Sequence, residues 1–313
     1  MPDILAIGEP LVELAAEEAG PLEQVRRFRR GWGGDTFNCV VSAARLGASA
    51  GYQTRVGDDP FGRAFLAFCR DEGIDASPSR IDPTSYTGLY LIAFHGGRHG
   101  FTYYRRGSAA SHLHPVDIDP DRIAQARVLH TSGITQAISD TAHAAVAEAV
   151  EAARRHGVLV SYDANLRPAL RPVAFLRAVF EASVPQADVV FMSLDDVVHL
   201  YGAVAPEEAG RRVLDLGAGA VVVKQGQDGC LVGSEEEGFA TCPPWPVDVV
   251  DPSGGGDAFA GAFLVEWALG GASLQDAGRF ANAVGALAVA GLGAVAPIPG
   301  RRKVEEFIRA GGG

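Results

Sequence analysis

The chain has 313 residues, 47% hydrophobic and 21% charged, the balance of a globular protein with a full core rather than of a disordered chain. That length excludes a short disulfide-stapled scaffold and leads us to expect one domain, 1–313, with a small appendage. A formal net charge of −11 gives little long-range attraction for nucleic acid or anionic membranes, so a small molecule is the expected ligand.

Met1-Pro2-Asp3 puts no basic segment ahead of the first apolar run, and Glu9 and Glu13 interrupt the residues after it. Neither a signal peptide nor a membrane span is expected, and the location predicted is cytoplasmic. Strand-length apolar runs at 4–8, 128–132, 158–163, 189–193 and 220–224 alternate with segments of helical spacing at 36–46, 61–72, 141–156 and 274–290. That alternation predicts an α/β fold, a mostly parallel sheet covered by helices. The stretch 281–295 is rich in Ala and Gly and reads as a core helix, not a span. The runs 87–94 and 101–105 are aromatic and are joined by a His/Gly-rich turn, the composition of a hairpin. With the segment near 11–33, the region 86–108 is expected to form a small β lid. Cys39, Cys69, Cys230 and Cys242 are scattered. No zinc or redox motif is written by their spacing, and they read as small buried side chains in a reducing compartment.

Two glycine-rich segments carry the chemistry. Asp251-Pro252-Ser253-Gly254-Gly255-Gly256-Asp257 follows an apolar pair and opens the helical run 258–269. Amides at such a helix start converge on an anion, with the carboxylate of Asp257 on the first turn. Gly31-Trp32-Gly33-Gly34-Asp35-Thr36-Phe37-Asn38 leads into the helical run 36–46. Here glycines admit a polyol to the backbone while Asp35 and Asn38 offer partners for hydroxyls. An ordinary capped turn accounts for either segment alone. The only lysines are Lys224 and Lys303, neither after glycine, which excludes a P-loop kinase. Gly8-Glu9-Pro10 does not supply the fingerprint of an NAD-dependent dehydrogenase.

Together the two segments resemble the signatures of the PfkB, or ribokinase-like, carbohydrate kinases, and the resemblance runs through Ile7-Gly8-Glu9, Arg55-Val56-Gly57-Asp58-Asp59, Ala281-Asn282-Ala283 and Gly293-Ala294. It implies a Rossmann-like core with a β lid, ATP as phosphoryl donor, a sugar hydroxyl as acceptor, Asp257 as base and the amides of Gly254, Gly255 and Gly256 as anion hole. Mg2+ would bridge the ATP phosphates through waters, and no direct metal ligand is nominated. Ser193, Lys224, Gly226, Gly229, Gly254, Gly256 and Asn282 are the implied nucleotide contacts. Lys224 reads equally well as a strand-end cation meeting solvent, and a buried Asn282 would need a polar partner. Pro252 and Gly255 stand where the family has Thr and Ala, and Gly255 should cost about 0.5–1 kcal/mol against Ala. Ser193-Leu194-Asp195-Asp196 stands where it has Asn-x-x-Glu.

Phe101-Thr102-Tyr103-Tyr104-Arg105-Arg106, Thr87-Gly88-Leu89-Tyr90, His130-Thr131-Ser132-Gly133-Ile134 and Asp163-Ala164-Asn165-Leu166-Arg167-Pro168 resemble the 2-keto-3-deoxygluconate kinase branch. The resemblance assigns Gly34, Asp35, Asn38, Tyr90, Tyr103, Arg105, Ile134, Arg167 and Asp257 to the sugar. Guanidinium groups suit the carboxylate of an aldonic acid. Strand alternation puts Tyr103 and Arg105 on one face and leaves Tyr104 and Arg106 as edge or interface residues. A neutral-sugar kinase such as a fructokinase is the alternative; a sugar-binding protein without catalysis is disfavoured by Asp257. His95 with His99, and His112 with His114, read as polar surface residues. The aromatic edge made by Tyr90, Phe94, Phe101 and Tyr103 predicts a homo-oligomer built on dimers through the lid.

Overall fold

The computed structural model describes residues 1–95 and 98–311. Gly96 and Gly97, at the expected hairpin tip, lie outside the described residues, as do the side chains of Phe94 and His95. In chain order the strands are β1 (Ile4–Ile7), β2 (Leu11–Ala16), β3 (Phe28–Gly33), β4 (Ala50–Gln53), β5 (Arg55–Gly57), β6 (Ile74–Asp75), β7 (Arg80–Asp82), β8 (Leu89–His95), β9 (Arg98–Tyr104), β10 (Val128–Ser132), β11 (Leu159–Asp163), β12 (Val189–Ser193), β13 (Ala220–Lys224), β14 (Cys230–Ser234) and β15 (Gly238–Cys242). The main sheet has the order β15-β14-β13-β12-β11-β10-β1-β4-β6. It is parallel except that β14 runs antiparallel to β13 and to β15. β5 and β7 form a small parallel pair.

Both faces of this sheet are covered, and the side-chain period of two divides its strands between two cores. Ile4, Val189, Phe191 and Val222 enter one, while Leu5, Val190, Met192 and Val223 enter the other, which is why the strands read as unbroken apolar runs. Capping side chains start several helices where the sequence predicts them: Asp59 accepts from Gly62 N before Pro60–Asp71, and Ser139 from Ala142 N before Asp140–His156. The predicted run 258–269 is two elements. A regular helix, Gly255–Leu264, passes into a wider π turn, Val265–Leu269. Among the described residues no helix is long and apolar enough to cross a membrane.

A second sheet has the order β3-β2-β8-β9, with β2 and β8 parallel and both outer pairs antiparallel. It meets the main body at the carboxyl ends of the parallel strands: Arg105 pairs with Glu9 just beyond β1, and Glu13 on β2 accepts a hydrogen bond from Ala294 N. The strand order reverses between β10 and β1, where an open α/β sheet presents its ligand crevice.

Candidate active site

Close helix packing brings the two glycine-rich segments together. A Cβ on Gly261 would strike Cys39 O, so the Gly255–Leu264 helix lies hard against Asp35–Arg45, and Ser42 Oγ donates to Ala258 O at 2.7 Å. One turn earlier this approach sets Asn38 Nδ2 2.8 Å from Asp257 Oδ2. The Asn38 amide nitrogen is thus engaged with Asp257, while its buried Oδ1 has no hydrogen-bond partner among the described residues.

Gly254 caps this helix with φ 73°, a conformation glycine adopts without steric cost. A Cβ there would stand 2.7 Å from Ala294 O. Asp251, fully buried, ties the approach to the helix down: its carboxylate accepts from Ser253 N at 3.0 Å and Gly293 N at 2.9 Å. The first amides of the helix have no intrahelical acceptor and carry its positive dipole end, so the amides of Gly254, Gly255 and Gly256 form a cradle that can receive an anion, with Asp257 on the same first turn. Burial pushes the Asp257 carboxyl up to about 7, helped by Asp35 and Asp163 and opposed by Lys224 and the Asn38 amide.

Lys224, at the end of β13, donates to Asp163 Oδ2 at 2.6 Å, and its side chain is 14% exposed. This corrects the solvent-facing alternative for Lys224. A Cβ on Gly256 would stand 3.4 Å from Nζ, so the ammonium borders the cradle. Burial lowers its pKa, but Asp163 and Asp257 outweigh that and hold it raised. Burial also raises Asp163, to about 6, against the pull of Lys224.

Beside the cradle runs a groove of about 270 Å³ whose lining includes Lys224, Gly226, Gly229, Trp245, Gly256, Phe259 and Asn282. Asn282 finds its polar partners in the backbone, donating to Cys242 O at 3.1 Å and Pro243 O at 2.9 Å, so it braces the groove wall. Ser193 is occupied. Its hydroxyl and amide each lie 2.7 Å from Asp196 Oδ2 in a capping box, while Asp196 Oδ1 accepts from Leu166 N at 2.7 Å. Both oxygens of the residue at the family's acidic position therefore serve the fold. Among the described residues no group of three or more His, Cys, Asp or Glu side chains is arranged to hold a metal ion.

On the other side of Asp257 lies the second sheet. Tyr90 is buried and donates to Glu13 Oε2 at 2.5 Å; its ring stacks on Tyr103 with centroids 5.6 Å apart. Arg105 lies over Tyr103 at 5.5 Å and pairs with the buried carboxylate of Glu9, which Ser108 Oγ also contacts at 2.9 Å. Burial raises the Glu9 pKa, with Arg105 and Ser108 opposing. Arg105 thus already holds a carboxylate of its own chain. Arg167 is exposed and donates to Leu166 O at 2.9 Å; it and Arg105 both act on the Tyr103 hydroxyl. Gly34, at φ 114°, has no room for a Cβ beside Glu9 O. Ile134 is buried just past β10. Tyr104 and Arg106 are exposed. His112 contacts Ser85 and Asp82, and His114 caps a short turn.

Sequence reasoning did not assign Glu9, Asp163 or Asn165 a role. Asn165 Nδ2 donates to Asp35 Oδ2 at 3.1 Å from a backbone at φ 37°, the one non-glycine residue with positive φ among those described. The available signal was position: each follows or ends an apolar strand run, where a polar side chain reaches the crevice.

Residues 1–301 match the family model described as pfkB family carbohydrate kinase. A 2-dehydro-3-deoxygluconokinase of Thermoproteus tenax is 37% identical over 99% of this chain and 95% of its own. A fructokinase-1 of Oryza sativa subsp. japonica is 32% identical over 98% of each. A solved putative ribokinase II from E. coli, in complex with ATP and Mg2+, superposes with a TM-score of 0.92 at 27% identity, covering 99% of this chain and 100% of that one. With a ribokinase-like fold and a glycine cradle beside Asp257, the chain belongs to the pfkB family of carbohydrate kinases.

Proposed function

We propose that this kinase transfers the γ-phosphoryl group of ATP to a hydroxyl of 2-keto-3-deoxygluconate, with Asp257 as the base. The place of Asp257 carries the reading: it follows Gly256 of the groove lining, acts electrostatically on Tyr103 of the second sheet, and has a pKa near neutrality. The sugar hydroxyl attacks the γ-phosphorus, its proton passes to an Asp257 oxygen held by Asn38, and ADP leaves. Charge that builds on the phosphoryl oxygens is met by the amides of Gly254, Gly255 and Gly256 and by Lys224. The groove beside Gly226, Gly229 and Asn282 receives the nucleoside, and Mg2+ bound with ATP would neutralise charge on its phosphates. The four-stranded sheet acts as a lid that excludes water.

Tyr90, Tyr103, Arg105 and Arg167 support an acid sugar, together with the relative from Thermoproteus tenax. Arg105 then shares its guanidinium between Glu9 and the substrate, or Glu9 takes up a proton as the ligand arrives. The occupied state of Arg105 is the specific observation that favours the second reading, a fructokinase. Arg105→Ala and Arg167→Ala decide between them. Loss of a charge-assisted hydrogen bond, about 1.5–3 kcal/mol, should lower kcat/KM for ketodeoxygluconate roughly ten- to a hundredfold while little affecting a neutral hexose. Equal losses for both substrates would favour the fructokinase.

The lid also supports a homo-oligomer. Phe101 and Tyr103 are 42% and 48% exposed on the edge strand β9, an arrangement that invites a second copy. Tyr90, buried against Glu13, takes no part in that surface. Light scattering at micromolar concentration should give at least a dimer mass, and a monomer would reject the arrangement.

A further inference from the structure

Spacing alone separates the cysteines, but the fold does not. Cys230 begins β14, Cys242 ends β15, and the antiparallel register sets them directly opposite each other. Directly opposed residues in such a ladder have Cα atoms about 4.5–5.5 Å apart, within the span of about 4.4–6.8 Å that a disulfide bridges. Both side chains turn toward the Leu274–Val289 helix, where a Cβ on Gly278 would stand 2.8 Å from Cys242 Sγ and 3.3 Å from Cys230 Sγ. The absent side chain of Gly278 gives both sulfurs one recess.

The two sulfurs hydrogen-bond to each other, and burial disfavours the thiolate of either. The thiolate is the reactive form, and with both sulfurs in one recess either cysteine can attack while the other resolves. Both are buried, but β15 is the edge strand of its sheet and the chain leaves it through exposed Pro243 and Pro244. Local opening at such an edge position would admit a molecule as small as hydrogen peroxide.

We propose that Cys230 and Cys242 form a peroxide-oxidisable dithiol, a modification site whose disulfide state alters the adjoining groove. One of the two thiolates attacks a peroxide oxygen and the O–O bond breaks, giving a sulfenic acid and a hydroxide that a proton converts to water. The other cysteine loses its proton as its sulfur attacks the sulfenic sulfur and expels a second water. Two thiols are oxidised to one disulfide and one peroxide is reduced to two waters. Coupling to the groove runs through the backbone of Cys242. Its carbonyl accepts from Asn282 Nδ2 and is the atom that a Cβ on Gly229 would strike, and Asn282 and Gly229 both line the groove. This coupling rests on the nucleotide reading of that groove.

The test treats the wild-type enzyme with hydrogen peroxide and maps peptides without reduction. A linked pair containing Cys230 and Cys242, lighter by two hydrogens and cleaved by dithiothreitol, is expected; its absence, or linkage through Cys39 or Cys69 instead, overturns the site. The KM for ATP should rise about two- to tenfold on oxidation, the effect of one disturbed hydrogen bond. Dithiothreitol should restore it, and Cys230→Ser should abolish the response. A linked enzyme with unchanged KM overturns the coupling. Failure of the reduced enzyme to saturate with ATP would instead overturn the nucleotide reading and leave the mapped disulfide standing.

Discussion

Asp257 owes its chemistry to its neighbours. Burial and the carboxylates of Asp35 and Asp163 raise its pKa, Lys224 and Asn38 lower it, and the balance lies at about 7. A base must be ionised to accept a proton, so activity should rise with pH through an acid limb near 7. Asp257→Asn keeps the shape and the helix contact but removes the base; turnover should fall by at least about 10²–10⁴-fold, with ATP binding retained in a calorimetric titration. Near-normal turnover by this variant would remove Asp257 from the mechanism. Asp257 was legible only because two glycine-rich segments occur together in the pattern of a known family, since an ordinary capped turn accounts for either alone. Glu9 was not: its role depends on Arg105, 96 positions away in sequence and paired with it where the second sheet meets the main body. Asn38 was half legible. The sequence shows an amide one turn into a helix, but which acceptor it meets depends on a helix crossing made at Gly261.

At the scale of elements, the strand runs were readable where both faces of the main sheet are buried and the strand is mostly apolar, as in β1, β12 and β13. The short strands β5, β6 and β7 gave no such signal, since two or three residues carry no period. The cysteine pair did leave one. Cys230 and Cys242 are equidistant from the turn between Ser234 and Gly238, but symmetry about a turn means contact only once that turn is known to close a hairpin. Helix packing also revises the reading of Gly255. Propensity alone says that alanine there should stabilise by about 0.5–1 kcal/mol. A Cβ at that position would stand 2.5 Å from Val289 Cγ1, a branched side chain on a neighbouring helix with little freedom to move, and overpacking costs about 1–3 kcal/mol. Gly255→Ala should therefore lower the urea midpoint, and Val289→Ala in the same chain should recover it. An unaltered or higher midpoint in the single variant would show that the cradle tolerates the family's alanine without compensation.

For the whole molecule, the site at the crevice between two sheets must hold several carboxylates away from water, and that sets how stability responds to pH. Asp257 and Asp163 ionise at about 7 and about 6 in the folded chain but near their ordinary value once unfolded. Between those limits the folded state keeps protons that the unfolded state has released, so stability falls as pH rises through the folded values. His130 acts the other way over a lower range. Burial depresses it to about 4, so its contribution is lost as pH falls from its ordinary value toward 4. Asp82, held at about 2 by hydrogen bonds from Thr84 that outweigh its burial, loses its contribution only in strong acid. The net expectation is a thermal midpoint that rises as pH is lowered from 8 to about 6 and turns down in stronger acid. Asp257→Asn should flatten the upper part of that profile and melt above the wild type at pH 8, because the amide never has to ionise in the crevice. Asp163→Asn is not equivalent, since it leaves Lys224 buried without its partner. A wild-type midpoint flat between pH 8 and 6, or an Asp257→Asn protein no more stable than wild type at pH 8, would mean that Asp257 is ionised at little cost and that its raised pKa does not set the acid limb of the reaction.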